Sequence, residues 1–179
     1  RLGNELQNNI LEILPRLNNF PIKHIIIHPR IGKQLYKGDV DLDTFEKSLN
    51  LTQHKIIYNG DITCIEDYKK LKARFPGIDH WMIGRGLIAD PFLPEMIKKN
   101  QYEHPENRYQ LLQKMHDLLL HEFEGTLSGE GHVIMKMNEF WKYWAYNFGD
   151  AKKALKKIKK SKSLLRYKHA VTALFNAYL

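Results

Sequence analysis

Apolar and polar positions change period along the chain. Leu6, Ile10, Ile13, Leu14 and Leu17 recur at helical spacing, with Pro15 placed to bend or shorten that helix. His24-Ile25-Ile26-Ile27 follows, a short β-branched run whose length and composition predict a strand buried on both faces, and it ends in His28-Pro29-Arg30. Asp43 with Glu46 three residues on has capping-box spacing for the next helix. The cycle then repeats. Lys55 to Tyr58 reads as a strand, Asn59-Gly60-Asp61 as its exit, and Ile65 to Phe75 as a helix with Thr63 as N-cap, Glu66 behind it and Pro76-Gly77 as its stop. A third strand, His80 to Ile83, exits at Gly84-Arg85-Gly86, and Pro91 opens another helix.

The stretch IIYNGDI, Ile56 to Ile62, carries a local conflict. Asn-Gly after an apolar run is the strongest short-range signal for a tight β-hairpin. Yet the strand exits at His28, Asn59 and Gly84 are 31 and 25 residues apart, with a helical pattern in each interval. An eight-unit βα barrel of about 250 residues averages about 31 per unit. The period therefore predicts parallel βα units and makes Asn59-Gly60 the mouth of a strand. Three units do not close a barrel, so the choice lies between the C-terminal portion of a TIM (β/α)8 barrel and a small open α/β sheet. Arg1 in place of an initiating methionine leads us to expect a fragment, and so the partial barrel.

Beyond residue 100 the strand signal stops. Tyr109, Leu112, Met115, Leu119 and Phe123 repeat on one helical face, and Val133 to Asn147 is an aromatic-rich helix. Ala151 to Lys160 predicts a short basic helix and Leu164 to Tyr178 a fourth. The expected organisation is an α/β unit over residues 1–100 and an all-α bundle over 101–179, linked around Asn100–Glu106.

Charge sharpens this division. The formal net charge is +8, with 15 Lys/Arg against 12 Asp/Glu in residues 1–100 and 13 against 8 thereafter. Ala151–His169 holds nine Lys/Arg and no acid, which points to a polyanionic partner. Lys152, Lys153, Lys156, Lys159 and Lys160 share one broad helical face, with Lys157 nearer its edge. Such a face follows phosphates without reading sequence, though a merely solvated helix has the same composition. Trp141, Tyr143 and Trp144 are better placed as bundle core than as base-stacking platforms.

Composition excludes several classes. No apolar run nears the roughly 18 residues that a bilayer span needs, and no basic-then-apolar leader is present, so neither a membrane nor secretion is expected. One cysteine, Cys64, precludes an internal disulfide or a cysteine metal cluster and suits a cytoplasmic protein. The nine histidines show no metal-binding spacing, and neither a P-loop nor a nucleophile elbow occurs. Cys64 reads as a small packing residue.

All three strand exits are polar or glycine-rich, which is where parallel barrels keep their chemistry. Asn59-Gly60-Asp61 and Gly84-Arg85-Gly86 suit a phosphate: glycines admit the backbone and Arg85 adds a bidentate cation. Taken singly each is an ordinary turn; in consecutive units they reinforce one another. His28 is either a satisfied structural histidine or a donor to a ligand ring. Gln34, Tyr36 and Gly38 lie in a polar loop of the substrate-reading kind.

Together "IIIHPRIGKQLYKGDVD", "IIYNGDI" and "WMIGRGLIADPFL" resemble the tRNA-dihydrouridine synthase family. The match is strong over residues 1–100 and architectural over 101–179. It implies an FMN-binding barrel with a smaller helical domain that grips tRNA. Carried over by position, Asn59, Gly60, Asp61, Gly84 and Arg85 match the FMN phosphate segments and His28 the histidine against the flavin. Arg30, Gln34 and Tyr36 match the loop facing flavin and tRNA, while Ile31 stands where many members have threonine. Arg1-Leu2-Gly3 resembles the fifth strand's exit, just after a flavin-contacting lysine.

The implied reaction has NADPH reducing FMN, whose N5 passes hydride to C6 of an unstacked uracil while a cysteine protonates C5. That cysteine belongs to the barrel's N-terminal half, and Cys64 does not match it. We therefore expect a cytoplasmic, monomeric, metal-free fragment that does not turn over alone. The alternatives from other classes are a non-catalytic RNA-binding protein and a phosphate-binding barrel enzyme acting on a small metabolite.

Overall fold

Strands β1 (His24–Ile27), β2 (Lys55–Asn59) and β3 (Trp81–Met82) form one parallel sheet in the order β1-β2-β3. Ile26 pairs with Ile57, Ile27 with Tyr58, and Asn59 with Met82. No hairpin forms at Asn59-Gly60, because the next strand returns only after a helix and runs the same way. These strands belong to a computed structural model that describes residues 1–5 and 9–179. It divides into two compact units, Arg1–Leu87 and Ile88–Leu179. Leu6, the first residue of the expected helical stripe, lies outside the described residues.

One sheet face is covered. α1 (Ile10–Leu17), α2 (Leu42–Leu49) and α3 (Ile65–Arg74) accompany the strands. Phe45 of α2, Tyr58 of β2 and Phe75 just after α3 meet edge-on or stacked, with the Phe45 ring 5.0 Å from each of the other two. Ile27, Ile56 and Tyr58 are buried with them. The other face carries Ile26 and Met82, each 47% exposed, with half-buried Ile57 between. β1 is thus not buried on both faces as its composition predicts. It stands at the sheet edge, and among the described residues no second layer covers Ile26.

Helix starts differ from the expected caps for a traceable reason. Asp41, not Asp43, caps α2 by accepting the Thr44 N–H at 2.9 Å. Asp43 and Glu46 instead receive Arg74 of α3, the Glu46 contact being 2.9 Å. Cys64, not Thr63, is the N-cap of α3, and Asp67 rather than Glu66 closes the turn by accepting the Thr63 N–H and hydroxyl at 2.9 and 2.6 Å.

After β3, α4 (Arg85–Ala89) runs across the division between the units. The second unit holds α5 (Leu93–Lys99), α6 (Arg108–Thr126), α7 (Glu130–Trp144), α8 (Ala151–Lys159) and α9 (Leu164–Phe175). Its core joins Leu112, Met137, Trp141, Trp144, Phe148, Ile158, Tyr167, Val171 and Phe175. Trp141 and Trp144 are core residues, and Tyr143 is half-buried.

A polar chain threads this core. Trp141 Nε1 donates to the Tyr167 hydroxyl at 2.8 Å, and that hydroxyl donates to His116 Nε2 at 2.7 Å. The remaining His116 nitrogen, Nδ1–H, donates to Asp117 at 2.8 Å, so a neutral imidazole satisfies the chain. Burial lowers the His116 pKa against the opposing pull of Asp117, and it raises that of Tyr167.

The segment 88–100, expected to belong with the strands, groups with the helices. Phe92 packs on the helical core, Asp90 pairs with His104 at 2.8 Å, and Asn147 Nδ2 donates to the Ala89 carbonyl at 2.7 Å. Among the described residues no helix is long and apolar enough to cross a membrane.

Two glycines two residues apart should respond oppositely to alanine. A β-carbon on Gly86 would lie 2.1 Å from the Ile62 carbonyl oxygen, whereas one on Gly84 meets nothing within 4 Å. Urea denaturation should show Gly86→Ala losing about 1–3 kcal/mol, the usual cost of overpacking, and Gly84→Ala staying within about 0.5 kcal/mol. Equal losses at both positions would contradict this packing.

Candidate functional site

Parallel pairing brings all three strand exits to one edge of the sheet. His28-Pro29-Arg30 leaves β1 there, Gly60-Asp61 leaves β2, and Ile83-Gly84-Arg85 leaves β3. Asn59 ties two of them by donating from Nδ2 to the Met82 carbonyl at 2.9 Å.

Arg30 is only 2% exposed. Its Nη1 donates to Asp61 Oδ1 at 2.9 Å and its Nη2 to Asp61 Oδ2, a bidentate pair between the first exit and the second. The Gly38 carbonyl accepts from Arg30 Nε and Nη2 at 3.2 and 2.6 Å. The guanidinium is therefore committed inside the unit. Asp61 sits in the left-handed region, φ 34°, which a short polar side chain tolerates. Arg30 beside it holds its carboxyl below the usual range against burial, with Arg85 adding to the effect.

Arg85 approaches the same carboxylate from the third exit, Nη2 donating to Asp61 Oδ1 at 2.9 Å. One face of its guanidinium lies 4.1 Å from the centre of the Tyr36 ring. Tyr36, 58% exposed, also has the Arg1 guanidinium 5.4 Å from its ring centre and His28 edge-on at 6.3 Å. Next to Arg85, Gly84 faces open space. Gly60 is different: a β-carbon there would press on Pro29 Cδ and the Tyr58 hydroxyl, each at 3.2 Å. The close approach that Gly60 permits is thus made by the protein's own side chains.

His28 Nδ1 is buried and has no hydrogen-bond partner. Burial, with Arg1 and Arg30 nearby, pulls the imidazole down to about 4, against the opposing influence of Asp61. The ring is neutral at physiological pH and offers one unused nitrogen. Gln34 turns into its own loop, its Oε1 accepting the Ile31 N–H at 3.0 Å and its Nε2 donating to the Asp39 carbonyl at 3.4 Å. Cys64 lies one turn from the second exit, and burial raises its thiol pKa, which disfavours a thiolate.

The expected cofactor residues His28, Asn59, Gly60, Asp61, Gly84 and Arg85 thus come from one edge of the sheet. Of the expected RNA-facing residues there, Tyr36 is exposed while Arg30 and Gln34 make internal contacts. Tyr36 and Gly38 are expected in a substrate-reading loop, but two of their contacts are not. One is the Gly38 carbonyl that receives Arg30, signalled only by a Lys-Gly-Asp turn whose glycine has φ 65°. The other is the Tyr36 ring under Arg85, which no local pattern announces.

In the second unit, α8 buries Ala154 and Ile158 and exposes Lys152, Lys153, Lys156, Lys157, Lys159 and, just past its end, Lys160. None of these lysines makes an ion pair among the described residues. No group of three or more His, Cys, Asp or Glu is placed to hold a metal ion among the described residues.

The buried ion pair predicts an asymmetry. Asp61→Ala leaves the buried Arg30 guanidinium without its carboxylate and should cost about 3 kcal/mol in urea denaturation. Arg30→Met should cost less, because Asp61 keeps Arg85. The reverse order would contradict the geometry. His28 should titrate near pH 4 by NMR. The unfolded chain takes up this proton below about pH 6.5, so stability from His28 is full above that pH and is lost as pH falls towards 4. A midpoint near 6.5 would contradict the burial of Nδ1.

Comparison with known proteins bears on the whole chain. Over 145 residues, 75% of the chain, it is 28% identical to tRNA-dihydrouridine synthase B of Proteus vulgaris, and the match covers 43% of that protein. Over 127 residues, 69% of the chain, it is 26% identical to a probable tRNA-dihydrouridine synthase of Helicobacter pylori, covering 37% of it. A tRNA-dihydrouridine(16) synthase of Ralstonia nicotianae is 25% identical over 83 residues, 46% of the chain and 25% of that protein. The chain thus spans less than half the length of each of these relatives. The dihydrouridine synthase (Dus) family model matches residues 1–176, across both units, and the chain belongs to that family.

Proposed function

We propose that this chain is the flavin-phosphate and tRNA-gripping portion of an FMN-dependent tRNA-dihydrouridine synthase. In this reading the three strands close the end of a TIM barrel, and the exposed face bearing Ile26, Ile57 and Met82 is the one a barrel turns inward. The single observation that carries the reading is the convergence of three polar strand exits at one edge, with an arginine held between a carboxylate and an aromatic ring.

The residues fit the cofactor. Gly84 leaves open space where a β-carbon would stand, and Arg85 Nε and Nη1 have no hydrogen bond among the described residues. His28 Nδ1 is a buried nitrogen still lacking a partner. Gly84 and Arg85 would hold the phosphate, His28 would face the ring, and Asn59 and Gly60 would shape the neighbouring exit. FMN held there and reduced by NADPH would supply the hydride for one carbon of the uridine C5–C6 bond, while the other carbon would take up a proton. The chain's own contribution is to bind and orient. Neutral His28 can donate or accept one hydrogen bond without adding charge, and Tyr36 offers an exposed ring at the mouth of the site. The lysines of α8 would follow tRNA phosphates.

Separate variants divide the two roles. Neutralising Lys152, Lys153, Lys156, Lys159 and Lys160 to glutamine should weaken tRNA binding and flatten its salt dependence, by a slope of about 0.7–0.9 for each phosphate that is no longer neutralised. FMN affinity, read by flavin fluorescence quenching, should be unchanged. Gly84→Ala should do the converse. Failure of the chain to bind FMN at all overturns the flavin reading, and tRNA binding indifferent to the five lysines overturns the second role. Since Cys64 matches no family catalytic position, the chain supplied with FMN, NADPH and tRNA should form no dihydrouridine; its appearance would contradict the assignment.

A further inference from the structure

We propose that the Asp61 carboxylate is a positioning group, which aims Arg85 at the flavin phosphate and does not itself touch the phosphate. This rests on the flavin reading above and reassigns a side chain that position alone places among the phosphate contacts. Both Asp61 oxygens are already committed: Oδ1 accepts from Arg30 and from Arg85, each at 2.9 Å, and Oδ2 accepts from Arg30. A carboxylate has no proton to give at neutral pH, and it would repel an incoming dianion.

Its arrangement suits a different task. Arg30 is buried and held by the Gly38 carbonyl, so it anchors Asp61 from the first exit. Asp61 in turn holds one corner of Arg85, and Tyr36 supports one face of the same guanidinium at 4.1 Å. An exposed arginine ordinarily wanders through many rotamers, and ordering it on binding weakens the interaction. Here one corner and one face are fixed while Nε and Nη1 remain without partners among the described residues. The two arginines together exceed the single carboxylate by one positive charge. That excess belongs on Arg85, because Arg30 is enclosed.

The test compares FMN with riboflavin, which lacks the phosphate. Asp61→Asn, Arg85→Met and the double variant are made in the full chain, and both affinities are read by fluorescence quenching. Either single change should lower the preference for FMN about tenfold or more, as expected for one charge-assisted hydrogen bond, with riboflavin affinity little altered. In the double variant the two losses should not multiply, because Asp61 acts through Arg85. Independent, multiplying losses overturn the proposal, as does a rise in FMN preference with Asp61→Asn, the sign of a carboxylate that merely repels phosphate. Should Asp61→Asn not fold, Tyr36→Leu removes the other support of Arg85 at an exposed position. It must then lower the FMN preference in wild-type but not in Arg85→Met chain. A wild-type chain that binds neither flavin sinks the cofactor reading separately. The linkage is then judged without ligand: the Asp61 carboxyl, followed by carbon NMR, should titrate higher in Arg85→Met, and an unchanged midpoint overturns it.

Discussion

The bidentate contact between Arg30 and Asp61 is the interaction on which the first unit's functional edge depends. It links residues 31 positions apart, from the exits of two adjacent strands, and one of its partners is almost wholly buried. A buried guanidinium is costly unless nearly every donor is matched. Here Asp61 and the Gly38 carbonyl supply that matching, so the loop after β1 is bent around to deliver Gly38. The same loop carries Tyr36, and Asp61 also receives Arg85. Breaking this pair therefore disturbs three loops together, although the sheet beneath is held by the Phe45, Tyr58 and Phe75 rings and by β pairing.

The helical unit solves a comparable problem differently. It buries a histidine, a tyrosine and a tryptophan, and it satisfies them in a line from Trp141 through Tyr167 and His116 to Asp117. Only the far end of this line, at Asp117, reaches solvent. With the core fixed in this way, α8 needs to bury only Ala154 and Ile158, which leaves its lysines on the outside and free of acidic partners among the described residues. Charge is thus concentrated where packing makes the fewest demands.

Much of this was legible in the residues. The β-branched runs placed β1 and β2 almost to the residue, and the spacing of their exits overruled the hairpin signal of Asn59-Gly60. The convergence of His28, Asn59 and Gly84 then followed from parallel pairing alone. What stayed hidden depends on distant partners. Asp41 and Asp43 both sit at plausible capping positions, and the choice between them is made by Arg74 some thirty residues away. Ile26 reads as a core residue, yet among the described residues no second layer covers it. Gly60 and Gly84 are identical letters at matching exits, yet one is pressed by Pro29 and Tyr58 while the other borders open space. Nothing local to Ala89 or Asp90 tells of their bonds to Asn147 and His104, through which residues 88–100 make their contacts with the helices.

If the three strand exits form one flavin cradle, the phosphate lies at the third exit and His28 lies against the ring. A crystal structure of the chain grown with FMN decides the matter. The phosphate should appear within hydrogen-bond distance of Arg85 beside Gly84, the flavin ring against His28, and Asp61 still bonded to both arginines. Ordered FMN found elsewhere on the chain, or a phosphate held by Arg30 with Asp61 displaced, would contradict the cradle.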